Sequence, residues 1–187
     1  MTITSAAQSD LRMWLHFLNG WNGVSLFIEV QESLANDLDL YIDASGTIGY
    51  GGLFKRAWFY GSWQKGILDK LSDNISIAFQ ELYPIVVAAI LWGKYWERKR
   101  IVFHCDNQGT IYILNKRCSK SDDIMKLMRR LTLVAAKHSF SFTAVHLSSK
   151  QNRVADCLSR FQFQDFRRLV PDAHPYPCPI PSEIMFD

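Results

Sequence analysis

The sequence predicts one α/β domain built on a mixed sheet, and three observations carry that expectation. A period-two run, Leu38 to Asp43, breaks into glycines that can turn the chain into a meander. A densely apolar helical stretch follows it. After that, strand-like and amphipathic segments alternate as far as Phe161. The expected order is three strands, a helix, a strand, two helices, a strand and a helix. That order makes a mixed five-stranded sheet, a three-strand antiparallel meander plus two parallel strands, flanked by helices.

The elements follow in order. Leu11 to Leu18 is apolar at helical spacing, Gly20 and Gly23 interrupt it, and residues 24–30 are β-rich. Residues 1–37 therefore read as an N-terminal arm packed on, or linking to, a domain at 38–161. Trp14 and Trp21 lie among apolar neighbours and read as packing residues. Leu38, Leu40 and Ile42 share one strand face, with Asp39, Tyr41 and Asp43 on the other. The next two strands are expected around Gly51 to Trp58 and Phe59 to Trp63, with Gly46, Gly49, Gly51, Gly52 and Gly61 supplying the turns.

The apolar helix spans about Phe79 to Trp96. Pro84 fits its first turn if it starts near Leu82, and otherwise marks a kink. Glu81 then lies at the helix N-terminus, where the dipole favours a carboxylate. The strand Arg100 to Cys105 ends at Asp106 and Asn107. A short helix from Gly109 to Asn115 follows, then an amphipathic helix from Asp122 to His138 and a strand from Phe140 to Leu147. Asn152 caps a final helix that runs to Phe161. Residues 162–187 hold five of the six prolines and read as an extended tail or linker.

Composition sets the outer limits. With 187 residues, 48% of them hydrophobic and 13% aromatic, the chain can bury a real core. A net charge of +3 permits a polyanionic partner without demanding one. The four cysteines show no CxxC pair and no zinc spacing, which points to a reduced compartment without structural zinc. No signal peptide and no uninterrupted apolar run of about 18 residues stands out. The expectation is an intracellular protein, cytoplasmic or nuclear and not secreted, with no membrane partner.

Four carboxylates occupy positions a metal site can use: Asp43, Glu81, Asp106 and Asp156. If the strands ending at Asp43 and Asp106 are parallel neighbours, their C-terminal ends meet, as ligand sites in α/β sheets do. Carboxylates crowded together without cations repel one another and raise their pKa values. Mg²⁺ resolves the conflict, because it takes hard oxygen ligands. Two such ions about 3.5–4 Å apart can activate water and stabilise a leaving oxygen. With 18 acidic residues in the chain, spacing alone leaves separate surface charges and caps as the competing reading.

Further motifs bear on that choice. YIDAS with a glycine-rich second strand, an isolated Glu opening the next helix, FHCDN ending the following strand, and HLSSKQNRVADCLSR near the end together resemble the ribonuclease H family. The last block looks most like the version in retrotransposon polyproteins, Ty3/gypsy-like or DIRS-like. The flanking WLHFLNGWNG and FRRLVPDAHPYPCPIP segments are similar to the borders of this domain in DIRS-like elements. The resemblance covers roughly Leu38 to Arg160.

It implies a metal-dependent endonuclease that hydrolyses the RNA strand of RNA–DNA hybrids during reverse transcription. A linked or associated reverse transcriptase is the implied partner. Asp43, Glu81, Asp106 and Asp156 match the metal-binding carboxylates for two Mg²⁺ ions, with Mn²⁺ as substitute. His146, six residues before Asn152, matches the family's mobile catalytic histidine; a strand-end histidine in a structural hydrogen bond is the equal alternative. Asn152 is a substrate contact or a helix cap.

Ser45, Gly46 and Asn107 are positioned for the nucleic-acid backbone, and Lys116, Arg117, Lys120, Lys150 and Arg153 for phosphates. Ile77 and Ala78 replace polar residues that cellular members carry just ahead of the Glu. No basic protrusion separates the two middle helices, so hybrid affinity is expected to be low. The alternatives are an inactive binding or scaffolding domain and a DNA-cleaving nuclease of the same fold.

Overall fold

The computed structural model describes residues 3–21, 31–33, 38, 40–63, 76–147 and 152–185, with 31–33 described by backbone alone. In chain order the elements are α1 (Ser5–Asn19), β1 (Gln31–Ser33), β2 (Leu40–Ala44), β3 (Gly49–Phe54), β4 (Ala57–Ser62) and α2 (Ile77–Trp92). After a 3-10 turn at Gly93–Trp96 come β5 (Lys99–Cys105), α3 (Gln108–Lys116), α4 (Asp122–Lys137), β6 (Ser141–His146), α5 (Arg153–Ser159) and α6 (Phe163–Leu169). The expected α/β class holds: an antiparallel three-strand meander, parallel strands and flanking helices.

The hydrogen bonding nevertheless divides into two three-stranded sheets, β1-β5-β6 and β2-β3-β4, instead of one sheet of five strands. The short strand β1 pairs with the first half of β5, from Gln31↔Lys99 to Ser33↔Ile101. Along the second half, β2 touches β5 with no ladder between them. The seam is where a small cavity opens, lined by Ile42 and Asp43 from β2 and by His104 and Cys105 from β5.

The meander corrects the glycine reading. Its second turn lies at Lys55 and Arg56, because Phe54 pairs with Ala57, and a positive φ of 56° at Lys55 reverses the chain without a glycine. Gly49, Gly51, Gly52 and Gly61 lie inside β3 and β4, not in turns, and none adopts the left-handed region. What they supply is room. A Cβ on Gly51 would stand 2.5 Å from the Leu158 Cβ of α5, and one on Gly61 would stand 2.4 Å from the Tyr50 ring. The strands therefore run Gly49–Phe54 and Ala57–Ser62, so the expected segment from Gly51 to Trp58 contains the turn.

Helix α2 is apolar all round, with eleven of its sixteen residues buried, so it is the core of the domain. Ile77–Trp96 is long and apolar enough to cross a membrane by composition, but most of it is buried inside the fold. The Ser76 hydroxyl caps α2 by accepting from the Phe79 amide at 3.2 Å. The helix thus starts at Ile77, not near Leu82; Pro84 lies within it, and Glu81 sits past the first turn. On α4 the expected inner face is the buried one, with Ile124, Leu127, Met128 and Leu131 in the main core.

Both ends of the chain pack on this domain. No residue of α1 is buried, and α1 is fastened to α4 by Arg129. Arg129 Nε donates to Asp10 Oδ1 at 2.7 Å and Arg129 Nη2 donates to the Ala6 carbonyl. The β-rich stretch 24–30 lies outside the described residues.

The C-terminal segment is not an extended tail. The Phe166 ring of α6 is fully buried, and Ile184 reaches the main core. Between them residues 170–185 run along β4, with the His174 and Cys178 amides donating to the Arg56 and Trp58 carbonyls. Alternating prolines remove donors that an edge pairing does not need. The Arg167 guanidinium gathers the Ala173, His174 and Pro175 carbonyls at 2.8–2.9 Å and lies over the Trp58 ring.

Arg167→Ala should lower stability by about 1–3 kcal/mol, the range for losing hydrogen bonds to a charged donor. The urea midpoint measures this, and limited proteolysis should then cut first beyond Leu169. An unchanged midpoint would mean that the buried side chains alone hold the strap.

Candidate functional site

The alternation of β2 sets Asp43 on the same face as Tyr41, which packs against the smaller apolar cluster that includes Leu158 of α5. Leu40 and Ile42 face the main core under α2. Two side chains from the α5 region fix this strand. Ser159 is fully buried, and its hydroxyl donates to Asp43 Oδ2 at 2.7 Å. Asn152 Nδ2 donates to the Ile42 carbonyl at 2.7 Å. Asn152 occupies the N-cap position of α5 but makes no side-chain cap bond. Its amide ties α5 to β2 instead of capping the helix.

Asp43, Glu81 and Asp106 converge. With Ile42, His104, Cys105, Leu147 and Asn152 they line one cavity of about 10 Å³, room for about one water. Burial is the main cause that pushes the Asp43 carboxyl up to about 6; the Ser159 hydrogen bond opposes it, and the Asp156 and Asp106 charges add to it. Glu81 is pushed further, to about 8, by burial and then by the charges of Asp43 and Asp106. The Cys105 thiol beside them is raised by burial, Glu81 and Asp106. Asp106 is exposed at the mouth, just beyond β5.

Asp156 is not brought into that cavity. It faces Arg160, whose Nε donates to Asp156 Oδ1 at 2.6 Å, with the two side chains 39% and 46% exposed. Its charge still reaches Asp43. His146 is exposed at the end of β6, beside Cys105 in the ladder, and does not line the cavity.

The residues expected on nucleic acid divide. Ser45 is buried, and its carbonyl accepts from Trp63 Nε1. The Gly46 carbonyl accepts from Gln80 Nε2, which pins the β2–β3 turn to α2. Asn107 caps α3 through Thr110. Arg117 donates to the Phe142 carbonyl and lies 4.1 Å from the centre of that ring. Lys116, Lys120 and Arg153 are exposed. Lys150 lies outside the described residues.

Three contributors escaped the sequence reading. His104 lines the cavity, and both its ring nitrogens are buried without a hydrogen-bond partner. Its spacing, two residues before Asp106 on a strand, was a usable signal. Ser159 and Arg160 follow Asp156 at helical spacing of three and four, which also places them beside it.

With this geometry in place, comparison with known proteins adds likenesses among solved structures. No protein-family model and no curated protein matches the chain. The N-terminal RNase H domain of a Mycobacterium tuberculosis protein, solved as a fusion with maltose-binding protein, is similar at 12% identity and a TM-score of 0.49, over 74% of this chain and 98% of that one. RNase H1 of the halophilic archaeon Halobacterium salinarum is similar at 13% identity and a TM-score of 0.46, over 72% and 97%. At such identities these likenesses concern the path of the chain and not its chemistry.

Two half-buried carboxyls with raised pKa values and an exposed third make an oxygen-donor set suited to a hard divalent cation. The orphaned His104 nitrogens are a further sign of an unmet polar demand there. Among the described residues, no three His, Cys, Asp or Glu side chains yet stand close enough to ligate one ion. The donor chemistry fits a cation; the carboxylates must draw together to hold it.

The raised pKa values fix a stability trend. Glu81 titrates near 8 in the fold against an ordinary 4.5, so between these values the folded chain holds a proton that the unfolded chain has lost. Without divalent cations, stability should therefore fall as pH rises from about 4.5 to about 8. Glu81→Gln should flatten that fall and raise the melting temperature at pH 8, with little change at pH 4.5. A wild-type melting temperature that is flat across the range would refute the assignment.

Proposed function

We propose that this chain is a metal-dependent endoribonuclease of the ribonuclease H kind, hydrolysing the RNA strand of RNA–DNA hybrids during the reverse transcription of a retroelement. The observation that carries the reading is the convergence of Asp43, Glu81 and Asp106 on one cavity at the adjoining ends of β2 and β5. Those are the three carboxylates that the YIDAS, Glu and FHCDN motifs single out. The HLSSKQNRVADCLSR block supports the retroelement context.

In this reading Asp43, Glu81 and Asp106 hold Mg²⁺, or Mn²⁺ in its place. The cation would polarise the scissile phosphate and lower the pKa of an attacking water. The protein's own contribution is placement. Ser159 orients one Asp43 oxygen and leaves the other open. Asn152 keeps β2 in line. Burial keeps Glu81 protonated near neutrality until a positive charge arrives, so proton release accompanies loading.

A second ion would need Asp156 to exchange Arg160 for the metal. Exposed ion pairs are worth about 0–1 kcal/mol, so that exchange is cheap. Hybrid phosphates would meet the exposed Lys116, Arg117, Lys120 and Arg153, while Ser45, Gly46, Asn107 and Asn152 spend polar groups inside the fold. An attached reverse transcriptase would add its own grip on the hybrid to that of these cations.

Cleavage of a labelled RNA–DNA hybrid with Mg²⁺ or Mn²⁺, beside duplex RNA, duplex DNA and single strands, tests the proposal. The hybrid's RNA strand should be cut, and Asp106→Asn should cost at least about a hundredfold in rate, or roughly 3 kcal/mol of barrier. Equal cutting of duplex DNA would make the chain a DNA nuclease. No metal-dependent cutting of any substrate would make it a binding or scaffolding domain.

A further inference from the structure

At the opposite end of β5 from the carboxylates, a cavity of about 650 Å³ opens between α1, α2 and α4. That size lies within the range of small-molecule sites, about 300–1,000 Å³. Phe17, Ile90 and Leu133 give it apolar walls. Arg98, Arg130 and Lys137 give it cations, against the single carboxylate of Glu97.

Two adjacent arginines of α4 show how the cavity differs from the packing beside it. Arg129 is satisfied by Asp10 and the Ala6 carbonyl. Arg130 lines the cavity, and its Nε is buried with no hydrogen-bond partner. A buried guanidinium nitrogen calls for an acceptor. Among the described residues, Arg98, Arg130 and Lys137 form no ion pair. The C-terminal ends of α1 and α4 also face this space, each carrying roughly half a negative charge. With Glu97 they offset about two of the three cations, so the field stays positive.

We propose that this cavity binds a small phosphate-bearing ligand with a flat apolar body, of the mononucleotide class, its phosphate on Arg130, Arg98 and Lys137. The ring would lie against the apolar walls, and the phosphate would supply the acceptor that Arg130 Nε lacks. The site is separate from the carboxylates: β5 spans seven residues between them, about 20 Å at the usual rise.

Isothermal titration calorimetry on the full chain at low salt, with AMP as the probe and adenosine and inorganic phosphate as comparisons, tests this. AMP should bind saturably and at least tenfold more tightly than either fragment. Arg130→Met should weaken it at least tenfold. Arg98→Met and Lys137→Met change exposed residues and should weaken it without altering the melting temperature, so the test stands even if Arg130→Met folds poorly. Asp106→Asn should leave AMP binding unchanged. No saturable AMP binding up to millimolar concentration, equal affinity for adenosine, unchanged affinity in the three cation variants, or loss of binding in Asp106→Asn would each overturn the proposal.

Discussion

The contact between Gly51 of β3 and Leu158 of α5 is the constraint on which the site depends. A methyl group at position 51 would stand 2.5 Å from the Leu158 Cβ and 3.2 Å from the Phe59 carbonyl. Neither the strand nor the helix backbone can give way cheaply, so α5 would have to lift off the sheet. Gly51 pairs directly with Asp43, and Ser159 follows Leu158 in the chain. The same close approach therefore brings the Ser159 hydroxyl to the carboxylate and the Asn152 amide to the Ile42 carbonyl. One missing side chain on the middle strand sets the geometry of its neighbour.

That approach has an electrostatic cost. Pressing α5 and α2 onto the end of β2 removes water from Asp43 and Glu81, and burial is the largest cause of both raised pKa values. The fold tolerates this because α2 is buried on nearly every side and the aromatic cluster of Tyr50, Phe59, Trp63 and Tyr83 anchors it to the meander. Hydrophobic burial of this extent outweighs two unfavourable carboxyls, of which Glu81 stays mainly protonated near neutrality. Any positive charge brought close to these carboxyls would oppose that shift and favour their ionised form.

Much of the architecture could be read from the sequence because it rests on periodicity. The alternation of Leu38 to Asp43 and the inner face of α4 are patterns that the core enforces. The convergence of Asp43, Glu81 and Asp106 was legible for the same reason: strand ends and a crossing helix are fixed by topology. What was not legible depends on contacts between distant segments. Gly49, Gly51 and Gly61 look like turn residues until the ring or helix lying on them is known. The proline-rich end looks like a linker until Arg167 is seen to gather three of its carbonyls. Asn152 looks like a cap, since only the approach of β2 gives its amide a better partner.

Asp43 on β2 and Asp156 on α5 are held by different kinds of contact, one buried and one exposed to solvent. Asp43 is gripped by a fully buried hydroxyl on a helix that cannot move without disturbing Gly51. Asp156 is held by a solvent-exposed arginine one helical turn away, in a pair that water and salt weaken. A carboxylate of the first kind keeps a fixed place in the fold. One of the second kind can swing toward the site or stay with Arg160 at little cost. The absence of Asp156 from the cavity is thus a statement about its present partner, and its coupling to Asp43 shows that it remains within electrostatic reach.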